Sequence, residues 1–170
     1  MGTKNKIIVE YHKKLSFREK LVLWMLEKSA PLHYHFCSKR KTWNLNSDDL
    51  LNFPKGTLGN ELGLFYKSQN FEPIPKAERH DVFHVLLDYT TGVIDEAAMQ
   101  FFLLGNGKIS VFTFGTAIIS TIFFPTKWSL YKKAFIKGKT ATDISKWNFK
   151  DLLSEDLEKL KRSILNNRII

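Results

Sequence analysis

The stretch from residue 77 to residue 104 constrains this chain most, because it holds two helical repeats with almost no chain between them. Over residues 77–89, Val82, Val85, Leu86 and Tyr89 recur at the spacing of one helix face, which predicts an amphipathic helix with that face toward a core. At ~100° per residue, His80, His84 and Asp81 then fall at roughly 0°, 40° and 100° on a second arc, so three potential ligands share one face within a turn. Thr90-Thr91-Gly92 turns the chain, and residues 94–104 read as a second helix stopped near Gly105 or Gly107. Helices joined by so short a turn pack antiparallel. His84 lies six residues before the turn and Glu96 four after it, so the two come level and Glu96 closes the site.

Two imidazoles with carboxylates suit zinc, iron(II) or manganese rather than a thiophilic metal. Two His and one carboxylate on one ion also leave positions open for a substrate or for oxygen. His80, Asp81, His84 and Glu96 are therefore the candidate ligands of a divalent metal. The competing reading has two surface histidines, a helix-start carboxylate and a solvated one. A zinc peptidase would need His-Glu-x-x-His, in which the Glu reaches a metal-bound water; Asp81 is one methylene shorter, which argues against peptidase chemistry. A second conceivable set, His33, His35 and Cys37, lacks a nearby fourth ligand. A His-Asp phosphohydrolase would have to recruit His33, His35, Asp143 or Asp151, the only loose candidates.

Elsewhere helical signals dominate. Ser16-Phe17-Arg18-Glu19 has capping-box spacing and predicts a helix over about 17–29 that ends before Pro31, with residues 32–37 as a short extended piece. A helical turn starts at Ser47, a helix over about 58–69 is capped by Thr57, and Pro73 and Pro75 break the chain. The apolar run 111–124, at 14 residues, is short of the ~20 needed to cross a bilayer and predicts a buried or surface-embedded helix. With no repeat or linker, the 170 residues predict one domain spanning 1–170. The expected architecture is all-α, a single helical bundle of about seven to nine helices around a metal site and an apolar groove. The single cysteine, Cys37, excludes an intrachain disulfide and a Cys-rich zinc site, and no apolar stretch of signal-peptide length opens the chain, so a cytoplasmic location is expected.

Fourteen Phe residues lie within apolar runs instead of alternating with Lys, Arg and Gly as in nucleic-acid readers, so no nucleic-acid partner is expected. They fit packing or a lipid pocket, and Phe101, Phe102, Phe112 and Phe114 are the candidate lipid-binding residues. The net charge is +9, and Lys127, Lys132, Lys133, Lys137 and Lys139 directly follow the apolar run. That order suits docking on an anionic membrane surface, with peripheral association at the inner face of the cytoplasmic membrane.

His80-Asp81-Val82-Phe83-His84, eleven residues and then Glu96 resembles the His-Asp-x-x-His-(eleven)-Glu signature of the coenzyme Q biosynthesis protein 4 family. Upstream, Pro54-Lys55-Gly56-Thr57-Leu58-Gly59 and Phe65 are similar to that family's Pro-x-Gly-Thr-Leu-Gly segment. Downstream, residues 134–139 and Trp147-Asn148-Phe149, leading to Leu157, are similar to its basic helix and Trp-containing tail, so the resemblance covers residues 50–165. Asp88 and Asp95 stand where Gly is frequent in the family, and Phe83 where Trp is frequent. The resemblance implies a mostly helical protein of ubiquinone synthesis that holds a divalent metal, usually zinc, with iron or manganese as alternatives, on His80, Asp81, His84 and Glu96. It implies either an enzyme that replaces the ring carboxylate of a polyprenylated hydroxybenzoate with a hydroxyl, or a non-catalytic lipid-binding scaffold. The implied partners are a prenylated quinone precursor and the other quinone-biosynthesis enzymes; a homodimer is compatible with the resemblance.

Overall fold

The computed structural model describes residues 15–36 and 41–165. The described chain is all-α, as its periodicity predicts: α1 (Phe17–Phe36), α2 (Ser47–Leu51), α3 (Leu58–Gln69), α4 (Glu78–Leu87), α5 (Val93–Gly105), α6 (Val111–Phe123), α7 (Trp128–Thr140) and α8 (Leu157–Leu165). Short 3-10 turns at Pro125–Lys127 and Phe149–Leu152 complete it. Among the described residues no helix is long and apolar enough to cross a membrane.

Helix starts follow local chemistry. At α1 the Ser16 hydroxyl accepts from the Glu19 N–H while the Glu19 carboxylate accepts from the Ser16 N–H and hydroxyl, the reciprocal box expected from sequence. Asn46 and Asp49 make the same box at α2, and Thr57 caps α3. One expectation fails at Pro31, where α1 continues to Phe36 instead of stopping. Proline's fixed φ is itself helical, so the backbone passes through it at the loss of one N–H donor. Residues 32–36 are accordingly helical, not extended. The His33 and His35 side chains and Cys37 lie outside what is described.

One cluster of buried side chains runs from Val22 to Ile164, and α5 is its axis, with Val93, Glu96 and every residue from Ala97 to Leu103 buried. α5 and α7 touch backbone to backbone. A Cβ built on Gly138 would lie 2.0 Å from the Phe102 carbonyl oxygen, and one on Gly105 would lie 2.1 Å from that of Phe135. Asn106 locks the joint, its Nδ2 donating to the carbonyls of Gly138 (3.1 Å) and Thr142 (2.9 Å) and its Oδ1 accepting from the Ile144 N–H (2.9 Å). Gly107, at φ +87°, ends α5 in a left-handed turn that returns the Lys108 N–H to the Leu103 carbonyl.

α6 is inside out. Its buried side is Thr113, Thr116, Ala117 and Ser120, whereas Val111, Phe114, Ile118 and Ile122 are exposed. The apolar run of 111–124 thus sends small and hydroxylated residues inward and four large apolar residues out, while Ile119, Phe123 and Phe124 pack against the core. α4 is tied to the C-terminal region through Arg79, which donates to the carbonyls of Ile144, Ser145 and Trp147 and lies 4.7 Å over the Phe149 ring.

Candidate metal centre

α4 and α5 form the expected antiparallel hairpin. Asp88 ends α4 in the left-handed region (φ +58°), a conformation that costs most residues roughly 1–2 kcal/mol and that Asp and Asn tolerate best. Its carboxylate is held by Lys161 at 2.6 Å. Asp95 then fixes the turn, its Oδ2 accepting from the Thr90 hydroxyl at 2.6 Å and the Thr90 N–H at 3.2 Å. Asp88 and Asp95 therefore both carry bonds that a glycine would lack.

The turn brings one atom each of His80, His84 and Glu96 together. The two imidazole Nε2 atoms are 3.2 Å apart, and Glu96 Oε2 lies 3.5 Å from that of His80 and 3.3 Å from that of His84. These are the separations of one face of a tetrahedron: bonds of ~2.0–2.1 Å to zinc put neighbouring ligand atoms about 3.3 Å apart. A circle through the three atoms has a radius of about 1.9 Å, so all three could reach one ion at the ~2.0–2.1 Å usual for zinc. The donor set and its spacing fit a divalent ion.

Neighbouring groups aim these donors. His84 directs Nδ1 to the Tyr89 carbonyl at 3.1 Å, which leaves Nε2 facing the cluster, and Phe65 stacks on its ring at 5.7 Å. Gln100, one turn beyond Glu96, is fully buried and donates from Nε2 to Glu96 Oε1 at 2.8 Å. Asp81 does not join the three. Its Oδ2 accepts from the Tyr66 hydroxyl at 2.7 Å, and burial pushes its carboxyl above the ordinary range against the opposing pull of His80, Tyr66 and His84. Burial acts on the other groups as well, but the charge pair outweighs it: Glu96 is held far below the usual carboxylate range by both imidazoles, and His80 is raised by Glu96. The cluster holds a negative charge that a proton or a metal ion can neutralise.

An apolar groove of about 600 Å³ runs between α5, α6 and α7, lined chiefly by Phe101, Leu104, Phe114, Ile118, Trp128 and Phe135. Two of the phenylalanines expected to contact a lipid, Phe101 and Phe114, line it. Phe102 is fully buried against α7, and Phe112 is half-buried away from the groove. Phe101 stands five residues beyond Glu96 on α5, about 7.5 Å along the axis and about 140° around it, so α5 presents the ligand on one face and borders the groove on another. His84 borders a smaller hollow of about 330 Å³ between α3, α4 and α8.

Sequence reading missed Gln100, Tyr66 and the groove residues Trp128, Ile118 and Phe135. The i,i+4 spacing of Glu96 and Gln100 is the one local signal that could have found the first. Tyr66 pairs with Asp81 across fifteen residues, which no local pattern encodes.

No protein-family model matches the chain, and no curated protein matches it. Among solved structures, the fold is shared with a Nostoc punctiforme protein provisionally assigned to ubiquinone biosynthesis. The TM-score is 0.58 and the identity 20%, over 89% of this chain and 83% of that one.

Proposed function

We propose that this chain is a metal-dependent protein of quinone biosynthesis that acts on a polyprenylated hydroxybenzoate: the ring–carboxyl bond breaks with release of carbon dioxide, water supplies the ring hydroxyl, and dioxygen takes the two electrons and leaves as hydrogen peroxide. One observation carries the reading: three single-atom donors lie 3.2–3.5 Å apart where α4 meets α5, and α5 also borders an apolar groove. The signature resemblance around His80, Asp81, His84 and Glu96 supports it, as does the fold shared with the Nostoc protein. His80, His84 and Glu96 would hold the ion, with Asp81, anchored by Tyr66, beside them on α4. Bound there, a zinc, iron or manganese ion would supply Lewis acidity toward the substrate carboxylate. The groove takes the isoprenoid tail, each buried methylene contributing ~0.8 kcal/mol, so several prenyl units would dominate affinity. Because Asp81 is not among the three converging donors, coordination positions stay open, which favours the enzyme over the scaffold.

The same reading has the protein work at an anionic phospholipid surface. Between residues 97 and 142 the chain has six lysines and no acidic residue. The outward stripe Val111, Phe114, Ile118 and Ile122 borders Lys127, Lys132 and Lys133, an apolar face ringed by cations. The groove opens on that face, so a tail would pass from bilayer to protein without crossing water.

The test is to incubate metal-loaded protein, on vesicles containing phosphatidylglycerol, with a prenylated hydroxybenzoate in air and to follow the ring by mass spectrometry. Exchange of carboxyl for hydroxyl supports the enzyme. A tightly held but unchanged substrate contradicts it. Sedimentation with anionic but not with neutral vesicles, lost in Lys132→Glu/Lys133→Glu, supports the membrane partner, and equal sedimentation with both vesicles refutes it.

A further inference from the structure

We infer that Gln100 is a positioning residue that makes Glu96 a one-oxygen ligand and thereby keeps the metal centre open. The inference deepens the metal reading and rests on it. α5 sets Glu96 and Gln100 four residues apart on one face, and Gln100 is fully buried. Its Nε2 donates to Glu96 Oε1 at 2.8 Å, while the other carboxylate oxygen, Oε2, is the one that faces His80 and His84. The two oxygens of Glu96 therefore have separate duties.

The amide is not there for stability. The Gln100 carbonyl oxygen is buried without a hydrogen-bonding partner among the described residues, and an unsatisfied buried polar group costs about 1–3 kcal/mol. A methionine or leucine would fill the same space without that loss. Orienting Glu96 is what the amide does that an apolar side chain cannot. A carboxylate with both oxygens free can chelate an ion with both or swing away from it. With Oε1 held by Gln100, Glu96 offers one atom, and the three donors leave further positions for a substrate.

Cobalt(II) titration of metal-stripped protein tests this, because the visible absorption of cobalt reports coordination number independently of turnover. Gln100→Met should keep wild-type helicity and a cooperative unfolding transition, since removal of the orphaned carbonyl offsets loss of the bond to Glu96 Oε1. It should bind cobalt ~10–100-fold more weakly, the loss typical when a hydrogen bond behind a ligand is removed, and with a changed absorption band. Gln100→Leu provides the same reading if the methionine variant folds poorly. A folded variant with wild-type affinity and an unchanged spectrum overturns the role of Gln100 while leaving the metal centre standing. Absence of cobalt binding by the wild type overturns the metal reading itself, and this inference with it.

Discussion

Replacing Gly138 by Ala tests the joint on which the groove and the metal helix both depend. The new Cβ would stand 2.0 Å from the Phe102 carbonyl oxygen and 2.8 Å from its carbon, against an ordinary non-bonded separation of about 3.5 Å. Both obstacles are backbone, so no rotamer change relieves the overlap. α5 and α7 must part by more than about 1 Å, which also strains the Asn106 bonds to Gly138 and Thr142. Overpacking commonly costs ~1–3 kcal/mol, and an overlap with rigid backbone belongs at the top of that range, about 3 kcal/mol. At ~2–4 °C per kcal/mol for a domain of this size, the midpoint should fall by about 6–12 °C. Gly115→Ala is the matched control. It lies inside α6 with nothing within 4 Å of its Cβ, so helix propensity alone should raise stability by ~0.5–1 kcal/mol. Thermal unfolding followed by circular dichroism reads both. A Gly138→Ala midpoint within about 2 °C of wild type, or an equal loss in Gly115→Ala, would refute the close-contact argument.

Other expectations follow from the same geometry. Asn106→Ala removes the three amide bonds to the Gly138 and Thr142 carbonyls and the Ile144 N–H, of which the Gly138 carbonyl keeps the Ala141 N–H, and should cost about 2–3 kcal/mol in denaturant unfolding; a loss below about 1 kcal/mol would show that the joint does not depend on it. In metal-free protein the raised His80 pKa makes its pairing with Glu96 fully stabilising below the unfolded histidine value of ~6.5 and progressively lost as pH rises through the folded value. The depressed Glu96 pKa sets the other limit: its contribution is present above the ordinary ~4.3 and fades as pH falls toward its folded value. Metal binding needs neutral imidazoles, so the stabilisation by added zinc should instead grow with pH. Melting curves with chelator and with zinc, from about pH 6 to about pH 9, should therefore diverge, and parallel curves would contradict the shared site.

How much of this was legible in the sequence depended on the range of each interaction. The hairpin was legible because the His80–His84 interval, the Thr90-Thr91-Gly92 turn and the position of Glu96 are all local, and helical geometry converts such intervals directly into proximity. Thr57 and Ser16 were legible as caps because an N-cap reaches only three residues ahead. Pro31 misled because a proline disfavours but does not forbid a helix that continues through it. The outward face of α6 could not be read from its apolar run, since the burial of Thr113, Thr116 and Ser120 is decided by the neighbouring helices. The Tyr66–Asp81 bond is likewise set by how α3 packs on α4.

The most direct test of the central claim is the stoichiometry and affinity of zinc on metal-stripped protein, measured by equilibrium dialysis for wild type and Glu96→Ala. Three donors spaced 3.2–3.5 Å apart predict one ion per chain, with binding lost in a variant that remains folded. Equal binding by the two proteins, or none by the wild type, would contradict it.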